Sequence, residues 1–171
     1  MKKTLIFISL ILATSLIKAQ GKTEMNIRLS YNQFGLGGRY YFQKTPIWSE
    51  INFGLGNEDI DRKFNDWVFD ARMGIPVWKL NTSAFYIAAK AGIYVPENDY
   101  YKAITPTIGC LIGYKKDIGK QKRQSIFAEA GYNYGKRQYT QNWSNENISI
   151  ATIDQFKVSP VTFSLGYSYR F

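Results

Sequence analysis

The sequence contains no histidine, a single cysteine and, beyond its first 19 residues, no run of 18 apolar residues. Each absence excludes something. Without histidine, the commonest general base is missing. With Cys110 alone, no internal disulfide can staple the fold. Without a long apolar run, and with a mean hydropathy of -0.28, the mature chain is not a helical membrane protein. The aromatic content is nevertheless 16%, including 13 tyrosines, and that excess needs a use.

Met1 to Gln20 combines Lys2 and Lys3, an apolar run from Leu5 to Ile17, and Ala19 before Gln20. This is the pattern of a secretory signal peptide spanning 1–19. Its apolar run is shorter than the roughly 20 residues a spanning helix needs. No cysteine follows it, which argues against a lipid anchor. Removing it leaves one domain, residues 20–171, with 19 basic and 13 acidic side chains, about +6 in charge. Such a charge suits lipopolysaccharide, nucleic acid or a polyanionic wall polymer, and selects none of them.

The dominant signal is period two, the alternation of a strand with unlike faces. In the closing stretch Val161, Phe163, Leu165, Tyr167, Tyr169 and Phe171 share one face, with Thr162, Ser164, Gly166, Ser168 and Arg170 on the other. The same alternation predicts strands over 24–31, 34–42, 47–56, 66–77, 84–95, 104–114, 125–136 and 161–171. Apolar positions are odd from Met25 to Tyr31 and even from Phe34 to Phe42. A two-residue hairpin turn at Asn32 and Gln33 explains this change of parity. The alternative is one bulged strand over 24–42, with Ile148 to Val158 as a further strand of the sheet. No helical period competes.

Segment lengths cluster near the 9 to 11 residues with which a tilted strand crosses a bilayer. The second face carries Arg28, Arg39, Glu50, Asp70, Arg72, Lys90 and Glu129 among many glycines. With that face outward the protein is a soluble, lipocalin-like barrel around an apolar ligand; with it inward, a membrane barrel with a polar lumen. Two features favour the membrane form. Aromatics gather at the ends of the apolar face (Tyr31, Phe34, Trp67, Phe69, Tyr132 and Tyr134 at one level; Tyr40, Phe42, Phe85, Tyr114, Tyr169 and Phe171 at the other), as interfacial girdles do. Small residues dominate the middle of the polar face, which suits a narrow lumen. The fold class expected is therefore all-β, an eight-stranded antiparallel up-and-down transmembrane β-barrel.

The aromatic last residue, Phe171, preceded at alternate positions by Tyr169, Tyr167 and Leu165, resembles the sorting signal by which outer-membrane barrels are recognised for insertion. With its leader and eight strands, the chain resembles the small outer-membrane barrels of Gram-negative bacteria, the OmpX, OmpW and OmpA-barrel type. The resemblance is one of pattern across the mature chain. It implies location in the outer membrane, contact with its lipid and lipopolysaccharide, and handling by the insertion machinery; no nucleic acid and no cofactor are expected, and a monomer is favoured with the oligomeric state left open. It also implies periplasmic turns near 43–46, 78–83 and 115–124, with 32–33, 57–65, 96–103 and 137–160 outside. The last connection has room for a strand-like extension from Ile148 to Val158. One tension remains: Lys115 to Arg123 puts five basic residues against one acid on the periplasmic side.

Barrel enzymes of the outer membrane share this architecture but use histidine, so their chemistry does not transfer to this chain. No catalytic residue is assigned. The inward charges are expected to pair with one another and fill the lumen, because eight strands enclose little more than their own side chains. A narrow channel lined by the same groups is the alternative. Arg170 should lie at the periplasmic rim, and Cys110 should face lipid as an apolar filler. The acidic stretch Asn57 to Arg62 lacks the spacing of a calcium loop, and no metal site is assigned. Gly35, Gly37 and Gly38 lack the strand-to-helix setting of a phosphate loop. The Asn-x-Ser/Thr matches at Asn81, Asn142 and Asn147 carry little weight in a bacterial envelope.

Overall fold

A computed structural model of the chain describes residues 23–56, 66–95, 104–145, 148–157 and 161–171, with 137–145, 148–149 and 151–157 described by their backbone alone. The proposed leader and the acidic stretch from Asn57 to Arg62 lie outside the described residues.

The alternating segments form β1 (Thr23–Ser30), β2 (Gln33–Tyr41), β3 (Trp48–Gly56), β4 (Asp66–Lys79), β5 (Ser83–Val95), β6 (Thr105–Ile118), β7 (Gln124–Tyr134), β8 (Lys136–Asn145), β9 (Ile148–Lys157) and β10 (Val161–Arg170). Eight of them close into an antiparallel barrel in the order β1-β10-β7-β6-β5-β4-β3-β2. The last strand pairs with the first from Glu24 opposite Arg170 to Ser30 opposite Ser164, so the barrel has no free edge. β8 and β9 form a separate two-stranded hairpin, in register from Lys136 opposite Lys157 to Asn145 opposite Ile148.

The orientation of the wall is set by adjacent residues such as Glu50, 1% exposed, and Ile51, 70% exposed. Every strand of the barrel repeats this contrast: charged and polar side chains are buried inside, while Leu29, Phe53, Ile87, Ile108 and Leu165 face outward. A soluble binder needs the reverse, an apolar hollow within a polar exterior. Burying charge inside and exposing an apolar belt is stable only where hydrocarbon covers the outside.

Several local expectations need correction. The first hairpin turns at Tyr31 and Asn32, one residue earlier than expected, because Leu29 pairs with Phe34. Both placements satisfy the parity change; the observed one buries Asn32 and leaves Tyr31 outside, its hydroxyl donating to the Val161 carbonyl at 2.7 Å. This hairpin removes the single bulged strand over 24–42. A bulge does occur in β4, where the register shifts between Pro76 and Trp78 and both Val77 and Trp78 face outward. Proline, lacking an N–H for the ladder, fits such a site. β6 continues through Lys115 to Ile118, leaving only Gly119 to Arg123 for the turn. Gly119 there takes a positive φ of 77°, which glycine adopts without steric cost. The extension expected at Ile148 to Val158 is β9, and it pairs with β8 outside the barrel.

Candidate functional site: the lumen charge network

The sequence alternates so that charged residues of many strands point to a common axis, and the closed barrel brings them within contact distance. At the end carrying Thr23 and Phe171, the Glu24 carboxylate accepts from the Lys115 ammonium, from Arg170 Nη2 at 2.6 Å and from the Tyr41 hydroxyl at 2.9 Å. Above it lies an aromatic layer. Trp48 and Tyr86 meet edge-on with centroids 5.5 Å apart, packed with Ala88 and Leu111. The Arg39 guanidinium sits 3.9 Å over the Trp48 ring.

The centre of the lumen is ionic. Glu50 accepts from Arg39 Nε at 2.6 Å, Arg28 Nη2 at 2.8 Å and Asn52 Nδ2 at 2.9 Å. Glu129, on the opposite wall, accepts from Arg72 Nη1 at 2.8 Å and the Tyr86 hydroxyl at 2.7 Å, with Arg28 Nε 3.0 Å away. Asp70 accepts from Arg72 Nε at 2.6 Å and Asn52 Nδ2 at 2.9 Å. Buried carboxylates in a low dielectric are tolerable only with such complete partnering. Beyond this layer Val68 and Tyr94 pack together toward the far end.

All seven residues singled out from the sequence (Arg28, Arg39, Glu50, Asp70, Arg72, Lys90 and Glu129) are buried inside the barrel. Six join the ion-pair network; Lys90 does not. Sequence reasoning missed Glu24 and Lys115. Arg170 is the partly exposed rim residue expected, with 31% of its side chain accessible, but it is bound to Glu24 rather than merely solvated. Cys110 is exposed on the outer face. Leu165 and Tyr167 point outward on β10, Phe171 just beyond it is also exposed, and Tyr169 meets Phe171 edge-on at 5.3 Å. The Phe171 N–H donates to the Thr23 carbonyl at 3.1 Å.

A vestibule of about 380 Å³ opens at the terminal end and stops on Arg39, Trp48 and Tyr86. Among the described residues, ion pairs and aromatic rings occupy the middle of the lumen, packed against glycines. A Cβ at Gly113 would collide with the Tyr86 ring, and one at Gly74 with Trp48. Glycine at these positions makes space for the rings. Among the described residues there is no group of three metal-ligating side chains.

By sequence, the chain matches no protein-family model and no curated protein. By fold it is similar to transmembrane β-barrels. The solid-state NMR structure of the outer membrane protein AlkL in DMPC bilayers superposes with a TM-score of 0.54 at 15% identity, covering 89% of this chain and 90% of that one. A barrel from the de novo design of transmembrane β-barrels gives 0.53 at 15% identity, covering 89% and 97%. The designed barrel TMB2.3 gives 0.52 at 16% identity, covering 88% and 94%. The protein is an eight-stranded transmembrane β-barrel with the fold of the small outer-membrane barrels.

Proposed function

We propose that this is an outer-membrane protein with a structural or surface-interaction role and no catalytic activity, its barrel a closed plug rather than a pore. The observation that carries this reading is the ion-pair bridge across the lumen, Arg72 of β4 to Glu129 of β7 at 2.8 Å. On this reading the turns at 42–47, 80–82 and 119–123 are periplasmic, and the β8–β9 hairpin stands at the cell surface. Two paired strands of ten residues reach roughly 33 Å at 3.3 Å per residue. Among the described residues neither strand pairs with a third, so the hairpin offers strand edges to a partner. The apolar belt takes outer-membrane lipid and lipopolysaccharide, and the insertion machinery reads Leu165, Tyr167, Tyr169 and Phe171. The protein acts as a monomer.

The channel alternative draws on the vestibule, whose wall carries Arg39, Lys115 and Arg170. Reconstitution in a planar bilayer separates the two. A plug gives no discrete current steps; regular steps that shrink when Arg72 or Glu129 is neutralised would establish the channel and overturn the structural reading.

A further inference from the structure

Among the described residues, one lumen cation makes no direct salt bridge: Lys90 feels Asp70 only from beyond contact distance. Arg28, Arg39, Arg72 and Lys90 face three carboxylates, Glu50, Asp70 and Glu129, in the same layer. Glu50 is engaged by Arg28 and Arg39, Asp70 by Arg72, and Glu129 by Arg28 and Arg72. Lys90 is 7% exposed and forms no hydrogen bond or ion pair with the described residues. It also stands directly opposite Arg72 across the β4–β5 ladder, a like-charge pairing that costs stability unless something lies between or beside the two. A buried ammonium without a close partner either gains a counter-ion or gives up its proton.

Lys90 borders a small, partly open cavity of about 20 Å³ on the far side of the network, shared with Arg28, Arg72, Gln33, Asn133 and Ser164. Asn133 is 2% exposed, and its Nδ2 donor has no partner. An unsatisfied buried amide donor and a lysine without a direct salt bridge thus border the same space. Among the described residues the only carboxylate in its lining is Glu129, and that is already held by three guanidiniums and the Tyr86 hydroxyl. The space admits a monatomic ion or a water molecule, and is too small for phosphate or sulfate.

We propose that this cavity is a binding site for a halide ion, chloride in the cell, held by the Lys90 ammonium and the Asn133 amide N–H groups as a structural counter-ion of the lumen network. Lysine supplies the charge and asparagine a neutral donor; both suit a spherical anion, which makes no demand for the forked geometry of arginine.

The test uses the full mature barrel refolded in zwitterionic micelles. Its unfolding midpoint is compared in sodium chloride, sodium bromide and sodium gluconate at equal ionic strength, gluconate being too large to enter. The wild type should unfold at higher denaturant in either halide than in gluconate, and Lys90→Met should lose that difference while remaining folded, since it removes the charge and keeps the length of the chain. Crystals of the wild type grown in bromide supply a readout that does not depend on any variant: an anomalous peak within hydrogen-bond distance of Lys90 Nζ and Asn133 Nδ2. A halide effect that survives Lys90→Met, midpoints equal in all three salts, or a bromide-free cavity holding only water would each overturn the proposal.

Discussion

Arg72 and Glu129 lie 57 residues apart in sequence on strands that are not neighbours, and they meet in the middle of the barrel with Nη1 2.8 Å from Oε2. The pair ties opposite walls together, where ladder hydrogen bonds join only adjacent strands. The same carboxylate receives Arg28 and, through its other oxygen, the Tyr86 hydroxyl.

Replacing Glu129 by alanine therefore removes an acceptor shared by Arg28, Arg72, Tyr86 and Ser164. We expect a loss of about 3–5 kcal/mol, the usual cost of removing one partner of a buried pair. Urea unfolding in micelles measures it. The double variant with Arg72→Met should be less destabilised than the two single changes summed, because they share one interaction.

Arg170→Gln provides the contrast. Its guanidinium binds Glu24, but it is partly exposed at the rim, and Glu24 keeps both Lys115 and Tyr41. The same urea assay should show a cost of at most about 1 kcal/mol.

The small lumen residues make a steric prediction. Gly113→Ala drives a methyl into Tyr86 and should destabilise by about 1–3 kcal/mol through overpacking. Gly38→Ala has nothing within 4 Å of its new methyl and should leave the midpoint nearly unchanged. Equal effects at the two positions would contradict a filled lumen.

How much of this was legible in advance follows from what each residue does. The barrel wall was readable because an apolar outer face forces period two through every membrane strand. Lys115 was not, because it opens a basic run that resembles a solvated turn; the continuing alternation of Gly113, Lys115 and Asp117 was the signal that the strand goes on. Glu24 was hidden as the first inward residue after the proposed leader. β8, read as K-R-Q-Y-T-Q-N-W-S-N, was passed over because a strand outside the barrel has no apolar face to show. Which cation meets which carboxylate depends on side-chain reach across the lumen, and no spacing rule reports that.

The closing residue should matter for assembly more than for the stability of a finished barrel. Phe171 contributes one backbone hydrogen bond and an edge contact with Tyr169. Deleting it should reduce the heat-modifiable band in the membrane fraction of cells, while protein refolded from urea still forms that band. Equal loss in both settings would make Phe171 a structural residue and remove its role as a sorting signal.

The account rests above all on which face of the wall meets lipid, and Cys110 allows that to be measured without adding or removing any other thiol. It is the chain's single cysteine and sits on the outer face between Ile108 and Ile112. A nitroxide attached there, with the protein reconstituted in phospholipid bilayers, should collide often with oxygen, which concentrates in hydrocarbon, and rarely with a water-soluble nickel chelate. The reverse ranking would place Cys110 in water and contradict the membrane-spanning barrel itself.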